Sequence, residues 1–388
     1  MKEAVITTAV RTPAGRASGA LKDIPVENLA AFVIKEVVDR SGINPEIIDE
    51  VYMGCRGQET ISNLARYALL EAGLPTSIGA MTVQRTCASG LQTIISAAQS
   101  IQTGNGEVFI VGGAENMTRW AYIMLKPAEA YQRTFPVFTF AINSPPKFEG
   151  NNMGVTAENL QKKYDIKREE QDEFAYMSHM RAWKATSEGR FKDEIVPLSI
   201  PQKKGEPVVF DTDEIIRSDT TIEKLSRLRP VYIPEGTVTA GTASPISDGA
   251  AALLMMSKEK ADELGLEPLA SFKSYAVVGL DPAYMGLGPV YAIPKAVNKA
   301  GLSLDQIDLI EINEAFAVQY LACEKELELN RDIVNVNGGA LALGHPIGCT
   351  GAKITVTLIH EMKKRNAKHG LVSLCCGGGQ GVAVVLER

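Results

Sequence analysis

Residues 34–54 read "IKEVVDRSGINPEIIDEVYMG" and residues 293–313 read "IPKAVNKAGLSLDQIDLIEIN", and the two align without a gap. In each, a helix-patterned run ends at a glycine, and an Ile-Asp pair follows just before an apolar stretch that reads as a strand. The spacing from Gly42 to Asp49 equals that from Gly301 to Asp308. A looser match extends the repeat: "CASGLQTIISAAQSIQTGNGEVFIVGG" (87–113) and "GCTGAKITVTLIHEMKKRNAKHGLVSLCCGGG" (348–379) both read as turn, helix, strand and double glycine. Strand, glycine turn and amphipathic helix alternating twice over predict a duplicated α/β fold.

Composition shifts between the repeats. "MLKPAEAYQRTFPVFTFAINSPPKFEG" is rich in proline and aromatics, and "IKREEQDEFAYMSHMRAWKATSEGRFKDE" is charged and helical. The expected division is an N-terminal half of residues 1–116 plus 247–268, an inserted domain at 117–246, and a C-terminal half at 269–388. The small apolar residues of "GTVTAGTASPISDGAAALLMM" lead the chain back into the first half.

The 388 residues exceed one small core, and 45% hydrophobic with 22% charged residues excludes a disordered or collagenous chain. A formal charge of -6 excludes a nucleic-acid partner held by bulk electrostatics, so an anionic ligand needs a local basic pocket. The opening "MKEAVITTAVRTPAGR" has too short an apolar run for a signal peptide, and no window approaches the roughly 18 apolar residues of a membrane span. A cytoplasmic protein is expected. Six cysteines scattered along such a chain predict reduced thiols, adjacent Cys375 and Cys376 being poor disulfide partners. The four histidines offer no zinc spacing, so no metal is expected.

Cys87 follows a strand-like "AMTV" and precedes a helix patterned on Leu91, Ile94, Ile95, Ala98 and Ile101. A cysteine at a helix N-terminus meets partial positive charge and free N–H groups, which predicts a lowered thiol pKa. Its alternative is a small buried hydrophobe. His345 stands between "NVNGGALALG" and "PIGCTG", where glycines leave room for an imidazole in a cleft, whereas His360 and His369 read as surface or helix-end residues. Asn313 and Glu314 close the repeated strand; Asn313 either sits in a solvated turn or holds a water beside the histidine. Cys375 and Cys376 end a strand and point to opposite faces, so at most one enters a site. The glycines 377–379 let a ligand approach and offer N–H groups. Neither "GGGQG" nor "GCTGAK" fits a dinucleotide or phosphate-loop pattern.

Taken in order, "VQRTCASGLQ", "GGAENM", "GTVTAGTASPISDGAA", "NEAFA", "GGALALGHPIGCTGAK" and "CCGGGQG" resemble the thiolase family from end to end. The resemblance implies the five-layered α-β-α-β-α thiolase fold of two similar halves with an inserted loop domain. It implies that Cys87 is the acylated nucleophile, activated by His345, and that Cys375 moves the α-proton, with Cys376 in the core. His345 with a water on Asn313 would hold the thioester enolate, and the N–H groups of Cys87 and Gly377 the tetrahedral oxyanion. Coenzyme A enters as substrate and product, with no permanently bound cofactor. Arg217 would lie near its phosphates, and Ser244, Met153, Tyr232 and Met285 along the pantetheine or acyl end. Asn152, Thr242 and Pro245 depart from the family's usual residues on the substrate side, and 121–150 aligns with no tetramer-forming loop. The implied activity is acetyl-CoA C-acetyltransferase. The alternatives are a longer-chain 3-ketoacyl-CoA thiolase, a decarboxylating condensing enzyme, which the second thiol and "NEAFA" oppose, and a non-catalytic acyl-CoA binding protein. A homodimer or homotetramer without nucleic-acid or membrane partners is implied.

Overall fold

The computed structural model of the chain describes residues 2–57, 60–126, 138–139, 141–202 and 204–388. The chain opens with β1 (Ala4–Arg11), β2 (Gly15–Arg16), α1 (Val26–Ser41), β3 (Glu50–Gly54), α2 (Leu64–Glu71), β4 (Gly79–Val83), α3 (Ser89–Thr103) and β5 (Val108–Asn116). Smaller elements follow: β6 (Ile123–Met124), β7 (Phe138–Thr139), α4 (Met153–Tyr164), α5 (Arg168–Ser187), β8 (Leu198–Ile200), β9 (Val208–Phe210) and α6 (Ile222–Ser226). Then come β10 (Ser247–Ser257), α7 (Lys258–Glu263), β11 (Ala270–Gly279), α8 (Gly288–Lys299), β12 (Leu309–Ile312), α9 (Ala317–Leu327), α10 (Ala340–Leu343), α11 (Thr350–Arg365), β13 (His369–Cys376) and β14 (Gln380–Glu387).

The repeat seen in the sequence is a repeat of pairing. The first half orders its strands β4-β3-β5-β10-β1 and the second β12-β13-β14-β11, with a parallel bridge from Ile310 to Val334 standing where β4 stands in the first. Directions match too: β3 runs parallel to β5 and to β4, and β12 parallel to β13 and to the Val334 bridge, while β5–β10, β10–β1, β13–β14 and β14–β11 are antiparallel. The sheets meet edge to edge at Val5–Ser271 and Ile6–Ala270. The aligned aspartates have the same task. Asp49 accepts the Glu107 and Val108 amides at 2.6 and 2.9 Å, and Asp308 accepts those of Lys368 and His369, both at 2.8 Å. Each carboxylate joins the start of one strand to the start of its parallel neighbour, which explains why Asp recurs at that spacing.

Side-chain alternation sorts the layers. Phe109 and Val111 of β5 and Val372, Leu374 and Cys376 of β13 face a central core filled by α3 and α11. Val108 and Ile110 face α1 and α2 on one outside, and Leu371 and Cys375 face α8 and α9 on the other. Two helix layers, two sheets and a shared helical layer give the five-layered α-β-α-β-α arrangement that the resemblance implies. Among the described residues no helix is long and apolar enough to cross a membrane. Part of 121–150, where the sequence left a tetramer-forming loop open, lies outside the described residues. His360 and His369 differ from the surface expectation. Both are half-buried, His360 Nε2 lying 2.9 Å from the Ala9 carbonyl oxygen and His369 Nδ1 3.0 Å from that of Gln306.

Arg11, at the end of β1, is fully buried between Glu194 (2.6 Å) and Asp213 (2.8 and 2.9 Å), with its guanidinium over Phe191. Both carboxylates come from the segment between β5 and β10, so Arg11 ties that segment to the sheet. Removing one partner of a buried pair leaves charge uncompensated. Arg11→Met is expected to lose about 3–5 kcal/mol in a denaturant titration.

Glu311, buried on β12, has its carboxyl pushed well above its ordinary range, first by burial and then by Glu314, Glu194 and Glu361, against a smaller opposing pull from Lys353. A raised folded pKa gives stability that is complete below the unfolded value, near 4.5, and is lost as pH rises towards the folded one. Glu311→Gln removes that loss. The stability of the variant relative to the natural chain is expected to rise from about pH 5 to about pH 8, as pH climbs above the unfolded value. Thermal melts at both pH values read it.

Candidate active site

The site is built where four loops meet at the ends of the central helices. Cys87 lies on a tight elbow between β4 and α3. Thr86 before it has φ 43°, a left-handed conformation rare for a residue with a Cβ. Ser89 holds the elbow, its Oγ donating to the Thr86 carbonyl at 2.7 Å and accepting the Arg85 amide at 2.8 Å. Arg85 fastens it to the glycine loop after β13 through Gln380 at 2.7 Å. In that loop Gly378 (φ 87°) and Gly379 (φ 79°) adopt backbone that favours glycine, and a Cβ on Gly379 would lie 2.2 Å from the Leu280 carbonyl oxygen. The loop thereby turns the Gly377 N–H onto the Cys87 sulfur.

The helix-terminus argument for Cys87 needs correcting. Burial is the largest influence and pushes its thiol up to about 11, against the lowering by the N–H groups of Gly377 and of Cys87 itself. Fixed N–H groups do not replace lost hydration, so the resting group is a neutral thiol. His345 is neutral too, lowered to about 3 by burial and then by the nearby Lys353 ammonium. Its tautomer follows from its partner. The Thr350 hydroxyl donates to the Pro346 carbonyl at 2.8 Å, so its oxygen accepts from His345 Nδ1 at 2.6 Å. Nε2 is left as the base, 3.5 Å from Asn313 Nδ2. The Asn313 oxygen is buried with no partner among the described residues, an acceptor to which a water can donate. Lys353 donates to the Leu343 and Gly344 carbonyls at 2.7 and 3.3 Å and so fixes the loop entering His345.

Cys375 and Cys376 face opposite layers. Burial and then the neighbouring Cys87 thiol hold Cys375 well above its ordinary pKa; the same two causes, in the same order, raise Cys376. Cys376 packs with Ala88 and Leu91 in the central core, and Cys375 lies on the side of α9 and "NEAFA".

A cavity of about 530 Å³ opens over the elbow, lined by Thr86, Cys87, Gly377, Ile347, Met153 and Asn152 together with Arg56, Trp120 and Asn143. Of the suggested binding residues, Met153 lines this cavity, whereas Arg217 lines another of about 200 Å³ with His179, Lys224 and Pro245. Tyr232 stands edge-on to Phe316 at 5.9 Å, and Met285 is buried in the cluster around α8 and α9. The Ser244 amide donates to the Ala315 carbonyl at 3.0 Å, joining "GTASPIS" to "NEAFA". Asn152 caps α4 through the Gly154 and Val155 amides, and Thr242 Oγ1 accepts the Thr239 amide.

Sequence reading missed Glu115, Arg56 and Trp120. Glu115 is buried, and its carboxylate accepts the Gly348 amide at 2.8 Å, the Arg56 and Gly57 amides at 2.9 and 2.8 Å and the Trp120 indole N–H at 2.9 Å. Its place in "GGAENM" was the available signal; Arg56 and Trp120 stand in no motif. The site holds a half-buried Cys87 thiol with backbone N–H donors beside its sulfur and a second thiol within its field, and His345 contributes an unprotonated imidazole able to act as a base.

Comparison with known proteins agrees along the whole chain. The model of the thiolase N-terminal domain matches residues 4–259 and that of the thiolase C-terminal domain residues 266–388. An acetyl-CoA acetyltransferase of Pseudomonas aeruginosa is 47% identical over 392 residues, and a 3-ketoacyl-CoA thiolase of Bacillus subtilis is 47% identical over 400, each match covering 100% of both chains. The crystal structure of the Bacillus anthracis acetyl-CoA acetyltransferase superposes with a TM-score of 0.94 at 49% identity, covering 100% of this chain and 99% of that one.

Proposed function

The chain belongs to the thiolase family, and from that premise we propose that it is an acetyl-CoA C-acetyltransferase, joining two acetyl-CoA reversibly into acetoacetyl-CoA and CoA. The single observation carrying this reading is that Cys87 and Gly377 line one cavity, with the Gly377 N–H on the Cys87 sulfur and the buried Cys375 thiol close enough behind it for the two thiols to feel each other. His345 Nε2 takes the Cys87 proton as the sulfur attacks the thioester, so a neutral resting thiol is the reactant and the thiolate forms only with its acceptor in place. The N–H groups of Cys87 and Gly377 stabilise the tetrahedral oxyanion, and CoA leaves acetyl-Cys87 with the proton of Cys375, which is left as a thiolate while His345 keeps the Cys87 proton. Cys375 then removes the α-proton of the second acetyl-CoA, with His345 and a water on Asn313 holding the enolate oxygen. The carbanion attacks the acetyl carbon and regenerates the Cys87 thiolate. In cleavage the same steps run backwards.

Arg217 serves the CoA phosphates, and Ser244, Met153, Tyr232 and Met285 serve the pantetheine and acyl end. The halves divide at 1–116 plus 247–268 and 269–388 around the loop domain 117–246. The enzyme works in the cytoplasm as a homodimer or homotetramer, without a permanent cofactor. Longer-chain cleavage is the second reading, supported by the Bacillus subtilis relative's name. Assay of CoA-dependent acetoacetyl-CoA cleavage tests the proposal; folded protein that binds acetoacetyl-CoA without cleaving it would replace the proposal with a binding protein.

A further inference from the structure

One wall of the Cys87 cavity is cationic. Arg56 lies just past β3 with its guanidinium 4.6 Å from the centre of the Trp120 ring, and both residues line the cavity. Glu115 organises them through the Arg56 and Gly57 amides and the Trp120 indole N–H. That carboxylate is occupied by backbone and indole donors. Among the described residues no ion pair reaches the Arg56 guanidinium, although its charge is felt at the Cys87 sulfur.

A guanidinium laid on an indole face has lost part of its hydration and keeps its planar fork of donors for a planar acceptor. A carboxylate there gains a charge-assisted and often bidentate pair. A methyl-ended chain reaching the same place buries the cation without compensation. The cavity wall also has Ala141, Ile142, Ile347 and Met153, which suit a few methylenes.

We propose that this cavity accepts acyl groups ending in a carboxylate, which Arg56 pairs with on the Trp120 face, so that the substrates include 3-oxoacyl-CoA thioesters with a terminal carboxylate. The inference rests on the thiolase reading of the site and extends it to a substrate class. The reaction balances without an added oxidant or reductant. Attack by Cys87 on the 3-oxo carbon breaks the C2–C3 bond, C2 takes a proton from Cys375 and leaves as acetyl-CoA, and the shortened carboxyacyl group stays on Cys87. CoA then accepts that group as its thioester, its thiol proton passing to the Cys375 thiolate, and Cys87 recovers its own proton from His345.

The test measures kcat/KM of the full chain for CoA-dependent cleavage of acetoacetyl-CoA and of six- and eight-carbon 3-oxoacyl-CoA ending in a methyl or a carboxylate. The natural enzyme is expected to favour the carboxylate over the methyl of equal length by about tenfold or more at one of the two lengths. Arg56→Leu is expected to reverse that ratio and Arg56→Gln to bring it near one, so the result survives misfolding of either variant. Cleavage of acetoacetyl-CoA with a carboxylate-to-methyl ratio at or below one at both lengths overturns the proposal, as does a preference that persists in a folded Arg56 variant. Failure of the natural enzyme to cleave any of the substrates overturns instead the thiolase reading beneath it.

Discussion

Cys87→Ala is expected to lower cleavage of acetoacetyl-CoA by about 10⁴-fold or more and to leave no acyl group on the protein. The sulfur is the atom on which the account places the covalent intermediate, and no other group aligned with the Gly377 N–H offers a substitute. The elbow itself should persist, because Ser89 and Arg85 hold it through the backbone and Gln380 and not through the Cys87 side chain. Intact-protein mass spectrometry of enzyme quenched during turnover reads the result directly. The natural chain gains one acetyl group and the variant none. An adduct that survives Cys87→Ala would move the nucleophile elsewhere.

Cys375→Ala separates the half-reactions. Acylation of Cys87 needs His345 and the oxyanion donors, so the variant should still take an acetyl group from acetyl-CoA. Removing the α-proton needs a base on the other face of the site, so condensation should fall by about 10²–10⁴-fold, the usual range of general acid–base catalysis. Exchange of the α-protons of acetyl-CoA in D2O should fall with it. Cys376→Ala, in the central core beside Ala88, should chiefly cost stability, about 1 kcal/mol for a small cavity. Normal turnover by Cys375→Ala with its loss in Cys376→Ala would reverse the register of the double cysteine.

Much of the architecture was legible because duplication leaves paired signals. Gly42 and Gly301 end aligned helices with φ 67° and 75°, and Asp49 and Asp308 join strand starts in the same way, so the repeat is enforced by backbone requirements visible in sequence. The meeting of the two halves was less legible. Gly90 and Gly351 let α3 and α11 approach until a Cβ on either would come within 3 Å of the facing backbone, a fact that single glycines in a helix pattern do not announce.

At the site, residue identity and motif were enough to single out Cys87, His345, Asn313 and Cys375 as candidates, and the fold brings Asn313 to His345 and Cys375 into the field of Cys87. The ionisation of Cys87 was not legible. A helix N-terminus is visible in sequence, while the burial that outweighs it arises only when the loops close over the elbow. Glu115, Arg56 and Trp120 escaped for a similar reason. They act together through hydrogen bonds across the end of the sheet, with Glu115 reaching the Gly348 amide 233 residues away. Arg217 stands on a different cavity from Cys87, so the fold does not bring it to the elbow.

The most direct measurement is CoA-dependent cleavage of 3-ketoacyl-CoA of four, eight and twelve carbons, with mass spectrometry of the quenched enzyme and peptide mapping of the adduct. The account predicts cleavage of the four-carbon substrate, with an acetyl group carried on Cys87. Absence of cleavage and of any adduct at every chain length, from folded protein, would contradict it.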